Sequence, residues 1–251
     1  MSYSREAMYL VLEDGSVYSG QRLGAETETT GEVVFNTSMT GYQEMLTDPS
    51  YGGQILVPTY PMIGNYGTST ADVESNRVQV NGFVVRDDCE KPSHPLSENT
   101  IYDYLLSNRI SGISGVDTRA ITRKLRSSGV MMGIITPRED VSVALDEISK
   151  APRYGEFDVV RAVSTNAVYT WQGDEGERSR AHYDLRGRIR QRGINREMEA
   201  GFEATRKSDS PLRIIVNDYG VKLNILRSLS ARGCDVIVVP DDATTEDILS
   251  R

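Results

Sequence analysis

The sequence predicts an α/β chain in two parts joined by a charged stretch. Three observations carry that expectation. Over residues 1–150, short segments of strand-like alternation are interspersed with segments whose apolar residues recur every three or four positions. In residues 211–251, two continuous apolar runs, LRIIVN and CDVIVVP, flank a helical pattern, as expected of parallel strands buried on both faces. Between them, residues 151–210 lose that period and fill with charge and glycine.

The elements follow in order. Met8–Leu12 and Val17–Ser19 alternate as strands around Glu13-Asp14-Gly15, a dipeptide signal for a tight hairpin. EVVFN (32–36) and QILVP (54–58) are expected strands, with a loop at 40–54 between them, and VQVNGFVVR (78–86) is another. A helix is expected over 97–108 with Ser97 as its cap and Ile101 and Leu105 on one face. DTRAITRKLRSSG gives the clearest helix, with Asp117 able to cap its start and Gly129 its end. VMMGIIT (130–136) then predicts a buried strand and 141–150 a short helix before Pro152. The 151–210 stretch is expected to be a solvated connector. Its arginines are interleaved with acids, which argues against an RNA-binding arm.

In the last part, LRIIVN leads through Asp218-Tyr219-Gly220 into a helix bearing Leu223, Leu226 and Leu229. Gly233 ends it, CDVIVVP follows, and Thr244 with Asp247 three residues on signals a new helix start. Two parallel strands and one helix leave apolar sheet faces that need further cover. The expectation is therefore an incomplete, C-terminally truncated doubly wound unit.

Composition narrows the chemistry. The chain has 251 residues, 38% hydrophobic and 25% charged, with a formal charge of -8 that disfavours a nucleic-acid partner. There is no apolar run long enough to span a membrane and no apolar signal core at the start, so a cytoplasmic protein with no membrane partner is expected. Cys89, Cys234, His94 and His182 are the whole soft-ligand inventory, without metal-ligand spacing, so no metal site is expected. Cys89 lies in the acidic RDDCEKPS, which works against a thiolate. Cys234 opens an apolar strand, and both histidines are simplest as surface residues. Phosphate loops and the G-x-S-x-G or G-x-C-x-G elbow are absent from these residues. What remains is Thr47-Asp48-Pro49-Ser50-Tyr51, a proline-fixed turn bearing a hydroxyl. There is also a helix whose Arg119 and Arg123 share a face that is ordinarily solvated.

Several stretches carry a family resemblance. VLEDGSVYSG, GEVVFNTSMTGYQEMLTDPSY, TYPMIGNYG, VDTRAITRKLR and NDYGVKLNILRSLSARGCDVIVVP resemble the small, glutamine-handling subunit of carbamoyl-phosphate synthetase. The resemblance implies an N-terminal swivelling β/β/α domain over 1–150 and, over 211–251, the opening of a flavodoxin-like class I glutamine amidotransferase domain. It implies that glutamine is split by a Cys-His-Glu triad. Ammonia then passes to a large subunit, where ATP and magnesium serve the making of carbamoyl phosphate for arginine and pyrimidine synthesis. It also implies that the serine of the TDPS turn, Ser50, binds glutamine. Neither the GICLGHQ-like elbow nor an SNGPGDP-like loop occurs in these 251 residues. No catalytic residue is therefore assigned, no cofactor is expected in this chain, and no glutaminase activity is expected of it alone. The alternative is a non-catalytic scaffold or regulatory module that docks on the large subunit.

Overall fold

The computed structural model describes residues 6–173 and 211–251, in two compact units that divide between Val163 and Ser164. The class is mixed α/β.

The first unit begins with the expected hairpin. Strands β1 (Ala7–Leu12) and β2 (Val17–Gly24) pair antiparallel, and Gly15, at φ 83°, turns the chain where a side chain would be strained. Then come β3 (Thr29–Asn36), helix α1 (Tyr42–Thr47), a 3-10 turn at Pro49–Tyr51, β4 (Gln54–Pro58), β5 (Met62–Ile63), β6 (Gly82–Val84) and β7 (Asp87–Asp88). The unit continues through α2 (Ile101–Ser107), β8 (Ser111–Ser114), α3 (Thr118–Ser128), β9 (Met131–Thr136), α4 (Val141–Lys150) and α5 (Val159–Val163).

Seven of these strands close into a barrel in the order β1-β2-β8-β6-β4-β3-β9, with β9 returning to β1. The β3-β4, β4-β6 and β6-β8 ladders are parallel and the others antiparallel. Alternate residues of β1, β3, β4 and β9, among them Leu10, Val33, Ile55 and Ile135, point into one buried cluster, which α3 closes with Ile121 and Leu125. On the outside, α1 and α2 cover Leu56 and Phe83, while α4 covers Val11, Met132 and Ile134. Gly112 sits where an added methyl would come 2.7 Å from Leu23 O and 2.8 Å from Phe83 O, so β2 and β6 flank β8 as closely as they do only because it lacks a side chain.

Several boundaries differ from expectation for identifiable reasons. The second helix is capped by Thr100, which accepts from Asp103 N at 3.1 Å, and not by Ser97. Only Gly82–Val84 of the 78–86 run is strand, and SGIS, polar and glycine-bearing, is a fully buried strand. Residues Tyr42–Thr47 of the expected 40–54 loop form helix α1. Residues 151–173, expected within the connector 151–210, carry α5 and strand β10 (Tyr169–Thr170), while 174–210 lie outside the described residues.

The second unit is a three-stranded sheet of order β10-β12-β11. β11 (Arg213–Asn217) and β12 (Asp235–Val239) are parallel and linked by α6 (Leu223–Ser230), and β10 pairs antiparallel with β12. Helix α7 (Thr245–Leu249) starts with the expected reciprocal cap between Thr244 and Asp247.

Candidate functional site

The stretch from Gly41 to Gln54 is built to hold one short turn in place. Gly41 adopts φ 86°, and its N–H and that of Tyr42 both donate to the Tyr66 hydroxyl, at 2.7 and 3.3 Å. Helix α1 has no side-chain cap of its own, so a distant phenol supplies it. The rings of Tyr42 and Tyr66 stack 4.2 Å apart, and the Tyr42 hydroxyl donates to Gly67 O. Burial raises the pKa of both phenols above the ordinary tyrosine value, so both remain neutral hydrogen-bonding groups.

The next turn of α1 is tied down as firmly. The buried Gln43 amide donates to Ser69 O and accepts from Ser69 N, each at 2.8 Å. Thr47 Oγ1 donates to Gln43 O and accepts from Glu74 N, both at 2.9 Å, while Ser75 Oγ donates to Thr47 O at 2.6 Å. These bonds satisfy backbone groups that burial would otherwise leave costly.

On that base stands the TDPS turn. Asp48 Oδ1 accepts from Ser50 N at 2.9 Å, Pro49 fixes the first helical position, and Tyr51 and Gly52 N–H close back on Asp48 and Pro49 carbonyls. Asp48 and Pro49 are buried, whereas Ser50 is exposed. Tyr51 is braced in turn, since its hydroxyl accepts from Asn36 Nδ2 at 2.8 Å. The arrangement displays one hydroxyl on a rigid corner.

Beside the turn lies a cleft of about 640 Å³, walled by Gly52 and Gly53, by Arg77–Asn81, by Arg109 and by Phe157 and Val163. A methyl on Gly52 would meet Val163 Cγ1 at 3.1 Å and one on Gly53 would meet Phe157 Cζ at 3.2 Å, so two glycines admit these side chains to the cleft wall. Arg77 Nη2 donates to Ala162 O at 2.7 Å and holds the far wall. Arg109 is the one described non-glycine residue with positive φ, at 60°.

This site can bind and orient. It holds no nucleophile with an adjacent base, and among the described residues no three His, Cys, Asp or Glu side chains are grouped to hold a metal. Cys89 and Cys234 are both free. His94 is exposed, its Nδ1 accepting from Leu96 N at 3.2 Å, and His182 lies outside the described residues. Sequence reasoning picked out the Thr47–Tyr51 turn and its Ser50 but not Gln43 or Tyr66. The only signal for them was polar residues recurring in GYQEMLT and NYGTST, too far apart to be paired by local rules. Among the described residues no helix is long and apolar enough to cross a membrane.

Comparison with known proteins adds a family. Residues 10–135 match the family model for the carbamoyl-phosphate synthase small chain, CPSase domain. Proteins named "Carbamoyl phosphate synthase small chain" are similar over nearly the whole chain. The one from a Nostoc species is 44% identical over 96% of this chain and 57% of its own length. That from Aquifex aeolicus is 44% identical over 97% of this chain and 60% of its own length. That from Rhodopirellula baltica is 41% identical over 99% and 61%. The chain thus spans roughly three fifths of the length of these relatives. A solved aminopeptidase from Aneurinibacillus sp. strain AM-1 covers 51% of this chain and 30% of its own, at 16% identity and a TM-score of 0.31, a likeness that carries no argument.

Proposed function

We propose, from the premise that this chain belongs to the carbamoyl-phosphate synthase small-chain family, that it is part of a subunit supplying ammonia from glutamine to a large synthetase subunit. On this reading the complex makes carbamoyl phosphate for arginine and pyrimidine synthesis, with ATP and magnesium used on the large subunit. The observation that carries the reading is the extent of the similarity, which spans both units and not the barrel alone.

Residues 1–150 are then the small-subunit domain of swivelling type, and 211–251 the opening of a flavodoxin-like amidotransferase sheet. Parallel β11 and β12, joined through α6, support the second assignment. On this reading glutamine is split by a Cys-His-Glu triad, whose GICLGHQ-like elbow does not occur in these 251 residues. What this chain contributes is Ser50, whose exposed hydroxyl on a braced turn is suited to hydrogen-bond the ligand.

The test is Ser50→Ala in the complete subunit bound to its large partner. Losing one neutral hydrogen bond costs about 0.5 to 1.5 kcal/mol, which is a loss of about 2- to 13-fold in kcat/KM for glutamine. Synthesis driven by free ammonia should stay unchanged. An equal fall with both nitrogen donors would place Ser50 in folding or assembly instead and remove it from the glutamine site.

A further inference from the structure

Helix α3 buries Thr118, Ile121 and Leu125 against the barrel. At 100° per residue, Arg119, Arg123 and Arg126 fall within about 60° of one another on a flank away from that buried stripe, in one file at i, i+4 and i+7. All three are exposed, and among the described residues none has an ion-pair partner. The neighbouring Lys124 differs, since it lies off that file and meets Asp14 at 2.6 Å. No acidic residue occurs anywhere from Thr118 to Arg138, in a chain whose formal charge is -8.

Only part of this file serves the helix. Like charges at i,i+4 and i,i+3 destabilise a helix. Arg119 also sits in the first turn, where the helix macrodipole disfavours a cation. Arg126, in the last turn, is favoured by that dipole, so what helix formation leaves unexplained is Arg119 and the like-charge spacing along an exposed face.

We infer that the Arg119-Arg123-Arg126 file is a docking strip for a carboxylate-rich surface on a partner protein. Charge complementarity names the occupant. The strip is roughly 10 Å long and stands in the field of a net anion, so it is felt only within about one Debye length. That suits a few carboxylates brought to contact. A long polyanion would instead be repelled by the rest of the chain. Val130, 57% exposed just past the helix, gives the strip an apolar border of the kind protein interfaces use. The identity of the partner rests on the function proposed above, which makes it the large subunit.

The test uses the complete small subunit with R119Q/R123Q/R126Q or R119E/R123E/R126E, titrated with purified large subunit at 50 and 300 mM salt. The expected result is a Kd weakened at least tenfold for the glutamine set at low salt, more for the glutamate set, and a flatter salt dependence for both. Melting temperature should not fall. A tight wild-type complex that the variants reproduce overturns the inference and leaves the proposed function standing. A wild-type subunit that binds no large subunit sinks both. A lowered melting temperature would assign the arginines to folding, and tighter retention of a duplex RNA probe than of the large subunit would assign them to a polyanion. Either outcome overturns the docking strip.

Discussion

At the scale of single residues, the informative side chains are those that satisfy buried groups far away in sequence. Gln43 closes both hydrogen bonds of the Ser69 backbone, and the pair is buried. Gln43→Leu keeps the volume and removes both partners, which leaves an orphaned N–H and C=O in the interior. Leaving such a group unmade costs about 1 to 3 kcal/mol. A fall of that size in unfolding free energy by urea titration is the expected outcome, with faster proteolysis around Ser69. No change would mean that water satisfies the segment unaided. Asp48-Pro49-Ser50 was legible because its bonds reach only two residues. Gln43 was not, because its partner lies 26 residues on and no local pattern marks a glutamine as a clamp.

At the scale of elements, local rules succeeded where an element carries its own start and stop. Asp117 and Gly129 bracket α3, Asp140 caps α4 by accepting from Ser142 and Val143 N–H, and Thr244 opens α7. They failed for α1, six residues long and capped by Tyr66, and for β8, whose SGIS owes its strand to neighbours on both sides. One ion pair joins two well-marked elements. Asp14 of the first hairpin meets Lys124 of α3. Burial pushes the Asp14 carboxyl up, but the Lys124 and Ser16 hydrogen bonds and the lysine charge outweigh it and hold the pKa below the usual 3.8. A depressed folded value means the stabilisation is present above the unfolded pKa and lost as pH falls through the folded one. Lys124→Met should therefore be less stable than the parent at pH 7. The gap should narrow as pH drops below 3.8, where protonation of Asp14 removes the pair from the parent as well. Chemical denaturation at stepped pH checks this. A gap that persists unchanged into acid would mean that the lysine stem, not its charge, supplies the stability.

At the scale of the whole chain, closure of the barrel could not be read in advance. Its seam joins Tyr9 to Thr136, and such pairing is written in register and glycine placement instead of in any local run. The two units also differ in how deeply they bury their strands. Every residue of β4 is buried and none of β11 is, and the second unit's described core centres on Leu226, Val236 and Val238. Leu212, 59% exposed, and Ile225, 49% exposed, add apolar surface that this unit leaves in water. Opening free energy follows the apolar area a segment keeps from water, so strands of one chain can differ widely in protection. Hydrogen exchange read by mass spectrometry should show peptides over Arg213–Asn217 exchanging at least tenfold faster than those over Gln54–Val57. The contrast should hold at any pH where both units stay folded, because it comes from burial and not from titration. Equal protection would require the amides of β11 to open only with the barrel, and burial within each unit would then not be what sets local stability.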